Sequence, residues 1–143
     1  MSFYKNATAA LTAKGGRMTE PRRIVLSAFD QAKKPISPYQ LKDMCDKGGH
    51  KIDVVTIYRI ISYLEKLGLV HKLHSAGGYV KCSLADAQAI HSFFACSRCG
   101  NIEEFSGGDF TAFRDTVESG HDFKITDCIL ELRGLCKHCK KWI

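Results

Sequence analysis

Two Cys-x-x-Cys pairs, "CSRC" (Cys96, Cys99) and "CKHC" (Cys136, Cys139), constrain what this chain can fold into more than any other feature. Each pair offers two thiolates to one ion, and four sulfurs around a tetrahedral zinc form a closed structural site. The 36 residues between the pairs exceed compact-ribbon spacing, so a fold has to bring the pairs together. "NIEEF" is expected to be a strand, "GDFTAFRDTVES" a helix with Phe110, Phe113 and Val117 on one side, and "FKITDCILELRGL" a long strand. A β-α-β order of this kind carries the second pair back to the first. A thioredoxin-like redox pair would open a helix after a strand, and two pairs in so short a segment fit a zinc clamp better than a thiol redox enzyme.

Cysteine and charge are distributed in opposite senses along the 143 residues. Five of the seven cysteines follow residue 90, whereas residues 1–90 hold 14 Lys and Arg against 7 Asp and Glu, and the remainder 7 against 8. The basic half is therefore expected to meet a polyanion, and the thiol-rich half a metal. "MSFYKNATAALTAKGG" lacks the apolar core of a secretory signal, and no apolar run approaches the roughly 18 residues that a membrane span needs. The expected setting is the cytoplasm, with reduced thiols and no membrane partner. Two modules are predicted, residues 1–84 and 92–143, joined by a hinge at 85–91 within "LADAQAIH".

Capping chemistry sets three helix starts in the first module. Thr19 is an N-cap for "EPRRIVLSAF", with Pro21 in the first turn and Val25, Ala28 and Phe29 on one face. Ser37 and Gln40 form a capping box around Pro38, after which Leu41, Met44 and Cys45 face the core. Asp53 caps "VVTIYRIISYLEKL", where Ile57, Ile60, Ile61, Leu64 and Leu67 recur at helical spacing and Gly68 supplies the stop. "GLVHKLHS" and "YVKCSLA", joined by "AGG", then read as a β-hairpin. Three helices followed by a wing is a winged helix-turn-helix, and the fold class is α+β.

The opposite face of the third predicted helix carries Thr56, Arg59, Ser62, Tyr63 and Lys66, with no acid until Glu65. Short hydrogen-bonding residues and an arginine suit a helix laid in a DNA major groove, although a solvated face has the same polarity. Arg59 and Tyr39 are the candidates for reading bases, with Thr56 and Tyr58 beside Arg59. Arg22, Arg23, Lys14, Lys72 and Lys81 are expected to touch phosphates, since cations on helix ends and wings mostly position a protein. Packing within the domain is the competing role for Tyr39.

His71, Cys82, His91 and Glu104 lie near the junction of the modules. Mixed nitrogen, sulfur and oxygen ligands there would tie the DNA-binding half to the metal half, and a thiolate among them favours zinc over hard cations and iron(II). A solvated wing histidine and a core thiol are the alternatives at His71 and Cys82.

Taken in order, "TEPRRIVLSAF", "KPISPYQL", "TIYRIISYLEKLGLVHKL", "FFACSRCGNIEEF" and "LELRGLCKHC" resemble the ferric uptake regulator family over roughly residues 10–140, and within it the zinc uptake regulators. The resemblance implies a homodimeric, metal-dependent repressor with a small C-terminal α/β dimerisation domain. It implies two zinc ions per subunit, a structural one on Cys96, Cys99, Cys136 and Cys139 and a regulatory one on His71, Cys82, His91 and Glu104. It also places Tyr39 and Arg59 against bases of a double-stranded operator. Two departures stand out: only His91 remains of the histidine cluster that the iron-sensing branch has ahead of the first knuckle, and Cys128 stands where a histidine is common in the family's last strand. No metal role is expected for His50, His74, His121 or His138.

The expected mechanism is a population shift in which metal at the junction selects the arrangement of two basic lobes that matches a pseudo-palindromic operator. Target genes would include those of zinc uptake. Neither an oxyanion device nor an orienting third residue accompanies any Cys–His combination, so no enzyme and no small-molecule substrate is expected. Iron- or peroxide-responsive relatives of the same family are the nearer alternative.

Overall fold

In this computed structural model, residues 2–83 and 89–142 are described, with backbone alone for 89 and 106–110. Contacts divide the chain into two units, Met1–Ser83 and Leu84–Ile143. Of the hinge expected at 85–91, residues 85–88 lie outside the described set, while Ala89–His91 begin a strand.

The N-terminal unit holds four helices and a hairpin. Helix α1 (Phe3–Ala13) has no counterpart among the three expected; Ser2 caps it, and Phe3, Ala7 and Leu11 bury one stripe at i, i+4, i+8 spacing. Helix α2 (Glu20–Gln31) starts on Thr19, whose hydroxyl accepts from the Arg22 N–H, and buries Val25, Leu26 and Phe29. Helix α3 (Pro38–Lys47) carries the complete capping box: the Gln40 N–H donates to Ser37 Oγ at 3.2 Å and the Ser37 N–H to Gln40 Oε1 at 2.8 Å. Leu41 and Cys45 are buried as expected, but Met44 is exposed, because the core stripe of this short helix is narrow and position 44 falls at its rim.

Helix α4 (Val54–Lys66) is capped by Asp53, whose Oδ1 accepts from the Thr56 N–H at 2.8 Å, a bond that holds the carboxyl below the usual carboxylate range. Ile57, Ile60, Ile61 and Leu64 are buried, and Gly68 leaves the helix at a φ of +73°, where a side chain would be strained. Strands β1 (Val70–Leu73) and β2 (Gly78–Lys81) pair antiparallel, Val70 opposite Lys81 and Leu73 opposite Gly78. Ile36 and Tyr79 exchange two backbone bonds of 2.9 Å, which pins the loop before α3 to the wing. One apolar cluster runs from Phe3 through Val25, Leu41 and Ile57 to Val70. Burying those side chains drives this unit's folding.

The C-terminal unit is a three-stranded sheet with one helix: β3 (Ala89–Cys96), β4 (Ile102–Asp109), α5 (Phe110–Glu118) and β5 (Ile129–Gly134), followed by a 3-10 turn at Cys139–Trp142. The strand order is β4-β3-β5, with β3 antiparallel to β4 and parallel to β5. Two expectations need correction. The β-α-β order is present in sequence, but β4 and β5 do not neighbour each other; they flank β3, a strand absent from the expected elements, whose first residues fall in the expected hinge and whose last is Cys96 of the first knuckle. The long strand expected over residues 123–135 shortens to Ile129–Gly134, the stretch whose residues stand in register with His91–Cys96 of β3. Helix α5 likewise begins at Phe110, Gly108 and Asp109 being the end of β4.

Candidate metal centre and nucleic-acid interface

Parallel pairing of β3 with β5 sets Cys96 opposite Gly134, so both knuckles emerge from the same end of the sheet. The Ser97 N–H donates to the Gly134 carbonyl at 2.8 Å and its hydroxyl to the same oxygen at 3.1 Å; Arg98 Nη1 reaches the Cys139 carbonyl at 3.3 Å. These braces sit inside the first Cys-x-x-Cys and involve Ser97 and Arg98, two residues given no role by the sequence alone, although a serine and an arginine between ligands are a usable signal. Gly100, at a φ of +77°, closes the first knuckle, with its N–H donated to the Cys96 carbonyl at 2.9 Å.

The sulfurs of Cys96, Cys99, Cys136 and Cys139 all lie within 4.8 Å of one another, and those of Cys99 and Cys136 are 3.7 Å apart. A tetrahedron with Zn–S bonds of about 2.3 Å has edges of about 3.8 Å. The four thiols are free of disulfides, so this donor set fits zinc. Electrostatics argue the same way. Backbone N–H groups of Cys99 and Cys136 hold Cys96 down to about 5, whereas burial pushes Cys139 up to about 12. One preformed thiolate beside one that burial keeps protonated is a site that needs a cation before all four sulfurs can ionise.

In the N-terminal unit His71 stands opposite Val80, and the Cys82 N–H donates to the Leu69 carbonyl at 2.8 Å, which extends the β1–β2 register by one pair. His71 and Cys82 therefore lie on one face of the hairpin as diagonal neighbours. Both are buried, and their ligand atoms are within 4.8 Å of each other. In the C-terminal unit His91 is buried on β3 opposite Ser106, and Glu104, half-buried on β4, is opposite Phe93. His91 and Glu104 thus share a face of the sheet, again as a diagonal pair. Glu104 belongs to no described group of ligand atoms as tight as the tetrathiol cluster. Cys128 is half-buried just before β5, its thiol pushed up by burial and by Asp127.

The expected nucleic-acid residues divide by what they touch. Arg59 is exposed on α4, Tyr58 beside it is 43% exposed, and Tyr39, at the second position of α3, is 68% exposed. The rings of Tyr39 and Tyr58 meet edge to face, with centroids 6.3 Å apart, so the two helix starts share an aromatic surface. Thr56 is half-buried. A cavity of about 230 Å³ between α2 and α4 is lined by Thr19, Pro21, Arg22, Thr56, Arg59 and Ile60.

Lys14 and Lys72 are exposed, and Arg23 is exposed but ion-paired with Glu20. Arg22 and Lys81 are engaged internally. The Arg22 guanidinium lies 4.4 Å above the Tyr63 ring and donates to the Arg17 carbonyl at 2.6 Å, and Lys81 Nζ donates to the Asp30 carbonyl at 2.6 Å. Here these two cations brace α2 against α4 and the wing. Gly16 permits the first brace, since a Cβ there would clash with Tyr63 Oη and meet the Leu11 carbonyl at 2.9 Å.

The Ferric uptake regulator family profile matches residues 13–133. A Zinc uptake regulation protein of Escherichia coli K12 is 31% identical over 125 residues, 86% of this chain and 72% of its own length. A Ferric uptake regulation protein of Neisseria meningitidis serogroup A is 28% identical over 136 residues, 94% of each chain. Among solved structures, a zinc uptake regulator complexed with zinc and DNA superposes with a TM-score of 0.85 at 27% identity, covering 96% of this chain and 93% of that one. With 121 of its residues matched by the family profile, the chain belongs to the ferric uptake regulator family.

Proposed function

We propose that this protein is a zinc-responsive transcriptional repressor that binds a pseudo-palindromic operator as a metal-loaded homodimer and controls zinc uptake genes. One observation carries the reading: a single chain combines a tetrathiol cluster with a winged helix presenting Tyr39, Tyr58 and Arg59. Its similarity over 96% of its length to a zinc uptake regulator solved with zinc and DNA supports the same reading.

Two zinc ions per subunit are assigned. Cys96, Cys99, Cys136 and Cys139 hold the structural ion. His71 and Cys82 from the wing, with His91 and Glu104 from the sheet, hold the regulatory one. Bound there, zinc supplies a Lewis-acidic anchor for deprotonated nitrogen, sulfur and oxygen ligands. The buried His71–Cys82 pair gives the wing a soft, nitrogen-and-sulfur grip, and the Cys82 thiolate selects against manganese and iron(II). Joining wing to sheet restricts the basic units of a dimer to arrangements that match successive major-groove faces, and the difference in metal affinity between arrangements equals the gain in operator affinity.

Dimerisation is supported by β5, an edge strand that exposes Ile129, Leu130 and Leu132. Such an edge is a template for a second copy. No helix among the described residues is long and apolar enough to cross a membrane, and the cytoplasm is the proposed setting.

The test is duplex binding titrated against buffered free zinc, iron(II) and manganese(II), for the native chain and Cys82→Ser. Zinc is expected to drive binding at the lowest free concentration, and Cys82→Ser to need at least about tenfold more of it. Equal response to iron(II) would favour the iron-responsive reading that the Neisseria relative's name suggests. A normal response from Cys82→Ser would remove the regulatory site.

A further inference from the structure

Four large apolar side chains of the N-terminal unit are exposed among the described residues: Tyr39, Met44, Val55 and Tyr58. Three of them gather where α3 and α4 begin. Val55, the second residue of α4, is 56% exposed and lies one turn before Tyr58 and Arg59. Burial does not account for it, and valine is among the weaker helix formers. It caps nothing, since the N-cap role belongs to Asp53. The face it heads, Val55, Tyr58, Arg59 and Ser62, carries no carboxylate, and the unit holds 14 Lys and Arg against 6 Asp and Glu.

We propose that Val55 is a specificity-determining residue that reads thymine, packing its two methyl groups against the thymine 5-methyl in the major groove beside Tyr58. The proposal deepens the DNA-binding function above and rests on it. Recognition helices present their first residues to base edges, and Val55 sits in that position. A valine has no donor or acceptor, so the hydrogen-bonding edges of adenine, guanine and cytosine offer it nothing, whereas thymine alone presents a methyl in that groove. Arg59, one turn further along the same face, supplies the cationic partner for a guanine or a phosphate. Apolar and cationic readout then alternate along one helix face.

The experiment uses the full, zinc-loaded chain. A preferred duplex is first selected from a random-sequence pool. Each thymine of that duplex is then replaced singly by deoxyuridine, which deletes the 5-methyl and nothing else. Wild type is expected to lose about fourfold in affinity at one thymine per half-site, the effect of one buried methyl. Val55→Ala should bind the parent duplex more weakly by a similar factor and ignore deoxyuridine at that position, while keeping its response at the others. Val55→Ile should keep the full response.

Because the position is exposed and alanine is the better helix former, Val55→Ala is expected to fold normally, as circular dichroism would verify. If Val55→Ala retains full affinity, or stays sensitive to deoxyuridine wherever wild type is, Val55 does not read thymine, and the face is left to a protein partner or to solvent. If selection recovers no preferred duplex, DNA recognition itself falls and takes this proposal with it.

Discussion

The two units of this chain are stabilised by different means. In the N-terminal unit Val25, Leu26, Leu41, Ile57, Leu64 and Val70 are wholly buried, so its helices close on a continuous apolar core. In the C-terminal unit the apolar side chains buried among the described residues are Phe93 and Ala95, joined by Cys96 and Cys139, while Phe113, Val117, Phe123 and every residue of β5 are exposed or half-buried. A segment of some 60 residues with so little interior falls short of the burial that offsets chain entropy. Such a unit has to draw on other sources, and the four sulfurs and an apolar sheet edge are the ones available. One unit can close a core from its own apolar side chains, and the other has a four-thiol cluster where a core would be.

The sharpest way to break this contrast is to remove the structural ion. Stripping zinc from the full chain with a strong chelator, or introducing Cys139→Ser, should cost the C-terminal unit on the order of 10 kcal/mol and unfold it. The N-terminal unit should keep its own thermal transition. Calorimetry with far-ultraviolet circular dichroism reads both. A single transition lost as a whole, or a C-terminal unit that survives, would show that the units do not differ as described.

The second source of stability is tested at the sheet edge. Leu130→Lys places a charge on β5, where Leu130 is 39% exposed in the monomer. It should therefore leave the monomer folded while weakening self-association by about 2 kcal/mol or more. Sedimentation equilibrium of zinc-loaded protein measures it. Unchanged association would exclude β5 as the dimer contact.

The same contrast explains how much could be read in advance. Helices α2, α3 and α4 were legible because their signals are local: Thr19, Ser37 and Asp53 accept hydrogen bonds within three residues of themselves. Each Cys-x-x-Cys pair was legible from its spacing, whereas their meeting rests on the parallel pairing of β3 with β5. Strand β3 was not legible, because its burial shows no alternation that a sequence pattern could betray; His91, Ser92 and Phe93 are consecutive and all buried. The excess length given to β5 has a non-local cause: β3 begins at Ala89, its paired register with β5 starts at His91 and Ile129, and beyond that only the Cys128 carbonyl is reached, by the His91 N–H at 3.2 Å. Helix α1 was missed for a weaker reason: its Phe3, Ala7, Leu11 stripe and Ser2 cap were present, but the stripe is built partly of alanine, which signals poorly. Of the residues proposed as regulatory ligands, each diagonal pair depends on strand register, which one sequence does not specify.

A smaller effect separates reading from folding within the N-terminal unit. Arg59→Ala should weaken operator binding by about 1–3 kcal/mol and relax sequence preference. Because Arg59 is exposed, its loss should leave thermal stability within about 0.5 kcal/mol. Fluorescence anisotropy on matched and mismatched duplexes, paired with a thermal melt, checks both. Unchanged affinity and preference would remove Arg59 from the interface.

The smallest effect tests whether the N-terminal unit is as independent as its core suggests. Ser37→Ala removes the oxygen that accepts from the Gln40 N–H but leaves the Ser37-position N–H bonded to Gln40 Oε1, so half of the capping box survives. The loss should be about 1 kcal/mol, roughly 5 °C in the midpoint of a unit this size. Ile36 and Tyr79 remain paired immediately before the cap, so the start of α3 is held to the wing by backbone bonds that the substitution does not touch. Tyr39 should therefore keep its place, and affinity for the selected duplex should change less than stability does. Differential scanning calorimetry of the zinc-loaded chain should show the first transition moving and the second staying where it was. If both move together, the apolar core of one unit and the thiolate cluster of the other are cooperating in a single folding event.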